Sequence, residues 1–125
     1  MAYSLELNVE GNILCVRASG IRTLEVVSAI IVDIFTACTE QGCTQALVDV
    51  RDLEGRLTTS DAYELVKDDF NRFRKKGLTR AAIIDRHINL EGYPFLETVA
   101  RNRGFNVRMF EDIDLARQWL RDQVV

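Results

Sequence analysis

Apolar and polar positions alternate at the start of the chain. Leu5, Leu7 and Val9 interleave with Ser4, Glu6 and Asn8, the period of a strand with one wetted face. Glu10-Gly11-Asn12 supplies turn residues, and Ile13 to Ala18 is more continuously apolar. The pattern predicts a β-hairpin whose second strand is covered on both faces and ends at Ser19-Gly20. From Thr23, a helix cap, the period lengthens. Leu24, Val26, Val27, Ile30, Ile31, Ile34, Phe35, Ala37 and Cys38 cover about half the circumference of a helix running to about Glu40. Glu25 stands near the positive end of its dipole and Gly42 just past its end. The arc is wider than one sheet face requires. Either the sheet and a neighbouring helix share it, or an apolar strip is left for a second subunit or an apolar ligand.

Ala46 to Val50 reads as the next buried strand, and Arg51 to Asp61 as a loop leading into a second helix. On that helix Tyr63, Val66, Phe70 and Phe73 recur at helical spacing with Ala62 and Leu65 beside them, and Asp69 falls inside the apolar arc, where a carboxylate needs a partner or, the favoured reading, lies at the arc's edge. Arg72, Arg74, Lys75 and Lys76 crowd its last turn before Gly77. Arg80 to Asp85 is a short buried strand. Pro94 lies just inside a helix that stops at Gly104, and Asn106 to Phe110 forms the last strand. Glu111-Asp112 then opens a final helix bearing Ile113, Ala116, Trp119 and Leu120. The order β-β-α-β-α-β-α-β-α predicts an α/β fold: a mixed sheet of about five strands, antiparallel in the hairpin and parallel afterwards, with about four helices as crossovers and cover.

Composition narrows the class. The length of 125 residues fits one domain spanning 1–125, and 47% apolar with 28% charged residues is the balance of a soluble globular chain. Nineteen acidic and sixteen basic residues give a net charge of −3 without a basic stripe, so nucleic acid is not an expected partner. No apolar run approaches the ~18 residues of a membrane span, and the start lacks the basic and apolar regions of a leader, which predicts a cytosolic protein. Cys15, Cys38 and Cys43 form no disulfide framework. The seven glycines include no Gly-x-Gly pair, so neither a dinucleotide fingerprint nor a phosphate-binding P-loop can be built. Cys38 and Cys43 are too far apart in sequence for Cys-x-x-Cys chemistry, and His87 alone could join them as a nitrogen ligand. Neither a metal nor a cofactor is expected.

Candidate chemistry collects at the carboxyl ends of the middle strands, where open α/β sheets usually bind ligands. Asp49, Arg51 and Asp52 follow one strand and Asp85, Arg86 and His87 another. They predict a polar cluster, whose plainer reading is a set of solvated ion pairs. His87 is the only histidine, and two readings stand for it: a general base oriented by Asp85, and the commoner surface-loop histidine. Thr58, Thr59 and Ser60 supply hydroxyls at a helix start, where one caps the backbone and a phosphate would add charge and acceptors.

The hairpin, the following β-α units and the strand-loop-hydroxyl-helix element resemble the STAS superfamily. The end of the chain, Val107-Arg108-Met109-Phe110-Glu111-Asp112 followed by Ala116-Arg117-Gln118-Trp119-Leu120, resembles the small stand-alone SpoIIAA-like bacterial proteins, and lipid-carrying Sec14-like domains resemble the same pattern. The resemblance covers nearly the whole chain. It implies a non-catalytic regulator of the kind of the anti-sigma-factor antagonists, in which a partner kinase phosphorylates a hydroxyl within Asp-Ser-Ser-Gly at the second helix start. Aligned from Asp49, that pair falls on Thr58 and Thr59, with Leu57 in the place of the aspartate and Ser60 in that of the glycine. The leading expectation is therefore a protein-interaction module using Arg51 to Asp61. Beside it stand a carrier of a small apolar ligand or lipid, a homodimer through the first helix and, last, an enzyme using His87.

Overall fold

The computed structural model describes residues 3–65, 78–86, 97–98, 101–102 and 106–122, without the side chains of Thr59, Ala62 and Leu65. Five strands form one sheet in the order β1-β2-β3-β4-β5: β1 (Tyr3–Glu10), β2 (Ile13–Ile21), β3 (Gln45–Glu54), β4 (Arg80–Ile84) and β5 (Asn106–Phe110). The first pair is antiparallel and all later neighbours are parallel, as the alternation of strand and helix patterns requires. The hairpin turns tightly because Gly11, at φ +60°, takes a left-handed conformation that costs glycine nothing.

Helix α1 (Leu24–Gln41) starts where the Thr23 hydroxyl accepts from the Val26 amide, and stops at Gly42, whose left-handed backbone returns its N–H to the Cys38 carbonyl. Its buried residues Val26, Ile30, Ile31, Ile34, Phe35 and Cys38 join one core with Leu14, Val16 and Ala18 of β2 and Ala46, Val48 and Val50 of β3. Leu24, Val27 and Ala37 pack against the same core. The broad apolar arc is thus used in building the molecule's own interior. The alternate residues of the strands point the other way. There Ile13, Leu47, Ala82 and Ile84 are buried beneath Ala116 and Leu120 of the last helix, α3 (Ile113–Arg121). Asp112 caps α3 by accepting from the Asp114 and Leu115 amides.

Several expectations are corrected. About four helices were expected; among the described residues two longer helices, α1 and α3, flank the sheet, and a seven-residue helix, α2 (Thr59–Leu65), follows β3. Of the helix expected from Pro94 to Gly104, only Glu97-Thr98 and Arg101-Asn102 fall within the described residues, and they are helical. Val66 to Gly77, with Asp69 and the basic run, lies outside them. The middle strands are longer than their apolar runs. β2 continues through Ser19-Gly20 to Ile21, and β3 through Arg51 to Glu54. Ser19, Gly20 and Ile21 pair with Asp52, Leu53 and Glu54 beyond a bulge that places one extra residue on β3. Arg51 to Glu54 is therefore strand rather than loop: backbone pairing with β2 and burial of Leu53 outweigh the charged composition. On β1 the dry face is only half covered. Tyr3 and Leu5 pack against the α1 core, whereas Leu7 and Val9 are 50% and 41% exposed at the open edge of the sheet.

Candidate functional site

The carboxyl ends of β2, β3 and β4 are tied together by a residue that the hydrophobic pattern did not single out. Arg22 stands between the end of β2 and the capping Thr23, and its N–H donates to the Glu54 carbonyl at 2.7 Å. Its guanidinium reaches across β3, donating to the carbonyls of Val50 at 3.2 Å and Leu53 at 3.5 Å, and ends against both carboxylate oxygens of Asp85 at 3.1 and 3.4 Å. Side-chain exposure is 7% for Arg22 and 0% for Asp85. Asp85 also accepts from the Arg86 amide at 2.7 Å, while its own N–H donates to the Phe110 carbonyl at 3.0 Å. A buried carboxylate at a strand end needs a cation close by. That requirement was the available signal, and it points to Arg22 once the ends of β2 and β4 are known to flank β3.

Asp85 is thus engaged by Arg22, and the expected grouping of Asp85 with Arg51 and Asp52 separates into distinct pairs. Arg51 forms a two-pronged contact with Asp49, Nε to Oδ1 at 2.9 Å and Nη2 to Oδ2 at 2.7 Å, with the Arg51 amide also donating to Oδ1 at 3.1 Å. Burial pushes the Asp49 pKa up, but the Arg51 hydrogen bonds and the nearby Arg17 charge prevail and hold it below its ordinary value. The same contact raises the Arg51 pKa. Asp52 meets Arg17 at 2.9 Å, both side chains well exposed. Such an open pair contributes little, about 0–1 kcal/mol. The polar cluster consists largely of internally paired charges laid along β2 and β3.

Beyond β3 the hydroxyls lie at the rim. The Thr58 hydroxyl accepts from the Asp61 amide at 3.0 Å and so caps α2, Thr58 and Ser60 are exposed, and Thr59 opens the helix. Arg86 is exposed, and His87 lies outside the described residues. The strand order never reverses, so the sheet lacks the switch point at which diverging helices open a crevice. Among the described residues the carboxyl edge carries a rim of exposed Asp52, Glu54, Gly55, Arg56, Thr58 and Ser60 above a base fixed by Arg22 and Asp85. No helix among the described residues is long and apolar enough to cross a membrane.

An open five-stranded sheet with a leading hairpin and flanking helices is the architecture of a SpoIIAA-like domain, and comparison with solved structures bears this out. The chain superposes on an anti-sigma factor antagonist from Mycobacterium paratuberculosis with a TM-score of 0.60 and 12% identity, covering 96% of this chain and 95% of that one. It also superposes on an uncharacterized protein of the DUF3478 family with a SpoIIAA-like fold from Shewanella loihica PV-4, with a TM-score of 0.53 and 22% identity over 95% and 93% of the two chains. The fold is SpoIIAA-like, as the sequence resemblance implied. No family model and no curated protein sequence matches the chain.

Proposed function

We propose that the protein is a single-domain, non-enzymatic regulatory module that binds a protein partner through the carboxyl rim of its sheet, from Arg51 and Asp52 through Thr58, Thr59 and Ser60 to Arg86 and His87. The observation that carries the reading is the fold shared, over nearly the full length of both chains, with a protein described as an anti-sigma factor antagonist. The exposed polar rim on a rigid base is compatible with it, since loops positioned by a fixed scaffold are where binding residues concentrate. A cytosolic bacterial setting and a partner that is itself a kinase fit the same reading.

The hydroxyls give the module a means of regulation. A phosphate on Thr58 would displace the capping hydroxyl and add nearly two negative charges to a rim that already carries Asp52, Glu54 and Asp61. Like charges would then repel an acidic partner and attract a basic one. The test is affinity capture from the source cell with the wild-type chain and with Thr58→Glu, Thr59→Glu and Ser60→Glu. A partner retained by the wild type should be lost or gained with at least one variant. If all three retain the same partners with unchanged affinity, the rim is not the regulated surface.

A further inference from the structure

The opposite edge of the sheet carries a second polar feature. Where β2, β3 and β4 begin and α3 ends, Asn12, Thr44, Gln45, Thr79, Arg80 and Arg121 help to line a hollow of about 450 Å³. Most of their polar groups are already committed. The Thr44 amide donates to the Asn12 side-chain oxygen at 3.0 Å, and the Asn12 amide in turn donates to the Thr44 hydroxyl. Gln45 donates to the Leu120 carbonyl at 3.1 Å, and the Thr79 hydroxyl to the Thr44 carbonyl at 3.0 Å.

Two guanidinium groups and the Thr44 hydroxyl proton remain. Arg80 lies with its guanidinium carbon 4.8 Å from the centre of the Trp119 ring, and its Nη1 is buried with no hydrogen-bond acceptor among the described residues. Burial without a counter-charge lowers its pKa. Arg121 is exposed in the last turn of α3 and meets no carboxylate among the described residues. No acidic side chain among the described residues lines the hollow. The helix end contributes about half a negative charge there, less than the two full positive charges, and Gln45 already occupies the Leu120 carbonyl. A positive recess thus sits on a chain of net charge −3.

We propose that this hollow binds a small molecule through an oxyanion, a phosphate or carboxylate group, held between the guanidinium groups of Arg80 and Arg121. Planar guanidinium pairs with both oxyanions in two-pronged fashion, and an anion seated in the hollow supplies the counter-charge that Arg80 lacks among the described residues. The site lies at the edge away from the proposed partner surface, so it stands independently of that reading.

Trp119 is the only tryptophan, so its emission reports directly on the Arg80 environment. The full-length chain is titrated with inorganic phosphate and, separately, with citrate, ionic strength being held constant with sodium chloride. A saturable change in Trp119 emission is expected with at least one anion, and the one with the lower midpoint identifies the preferred group. Arg121→Gln, at an exposed position outside the core, should raise that midpoint by about tenfold or more, the loss of one charge-assisted hydrogen bond. Arg80→Met should abolish the response. Changes linear in both anions, or an unchanged midpoint in Arg121→Gln, overturn the proposal even if Arg80→Met proves unstable.

Discussion

Arg22 and Asp85 illustrate how one pair of side chains can fix the geometry of a surface without forming part of it. The guanidinium joins the end of β2, two carbonyls of β3 and the carboxylate after β4, all away from solvent. Removing one member of a buried pair leaves the other charge desolvated without its partner, so Arg22→Met should destabilise the chain by about 3–5 kcal/mol. Replacing both members with apolar residues, Arg22→Met with Asp85→Leu, should recover much of that loss. Urea unfolding of the two variants is the check; a double variant no more stable than Arg22→Met would show that the carbonyl contacts, rather than the ion pair, carry the effect. The neighbouring Asp49–Arg51 pair has a different signature. Because the folded-state pKa of Asp49 lies below its ordinary 3.8, the pair's stabilisation is present above that pH and is lost as pH falls through the lowered folded value. Arg51→Gln should therefore be less stable than wild type at neutral pH, and the difference should shrink below pH 3.8. A gap that stays constant to the lowest pH at which both variants fold would mean that Asp49 does not titrate with the pair.

At the scale of elements, caps and bulges decide where the polar rim lies. Thr23 and Thr58 both use a hydroxyl to satisfy a helix amide, at 3.1 Å on Val26 and 3.0 Å on Asp61. Replacing either with alanine should cost about 0.5–2 kcal/mol, read as a shift in the urea midpoint at unchanged slope. For Thr58 the result also bears on regulation: a loss of stability without a change in partner binding would assign this hydroxyl to capping alone. The cap of α1 was legible in the sequence because Thr23 directly precedes a strong apolar period and Gly42 closes it. The sheet was legible for the same reason, since the strands carry apolar runs that the turns interrupt. The far half of β3 was not. Arg51-Asp52-Leu53-Glu54 reads as loop by composition, and only pairing with the extended β2, across a bulge, makes it strand. Arg22 was missed for a related reason. Its role arises from the adjacency of β2, β3 and β4, a tertiary fact that no local pattern encodes, whereas Asp85, Thr58 and Ser60 carried a local signal of strand end or helix start.

For the whole molecule, the consequence of the strand order is a sheet covered on both faces. Among the described residues the α1 face holds the larger core, and the α3 face a smaller one built on Leu47, Ala82, Ile84, Ala116 and Leu120. Successive residues of β3 alternate between them, Ala46 and Val48 on one side and Leu47 on the other, so neither core can open without disturbing the strand that serves both. Each side has its own reporter. Cys38 is buried in the larger core, where burial raises its thiol pKa to about 11, so it should resist alkylation at neutral pH until that core opens. Trp119 packs against the smaller core, with its ring 5.7 Å from Phe110. The shared strand predicts a single cooperative transition, in which Trp119 emission and Cys38 alkylation change at the same urea concentration. Leu120→Ala, which hollows the smaller core, should cost about 2–5 kcal/mol and move both midpoints together. If Trp119 responds well before Cys38, α3 opens as a separate unit, and the hollow between α3 and the strand starts is the part of the molecule that opens first.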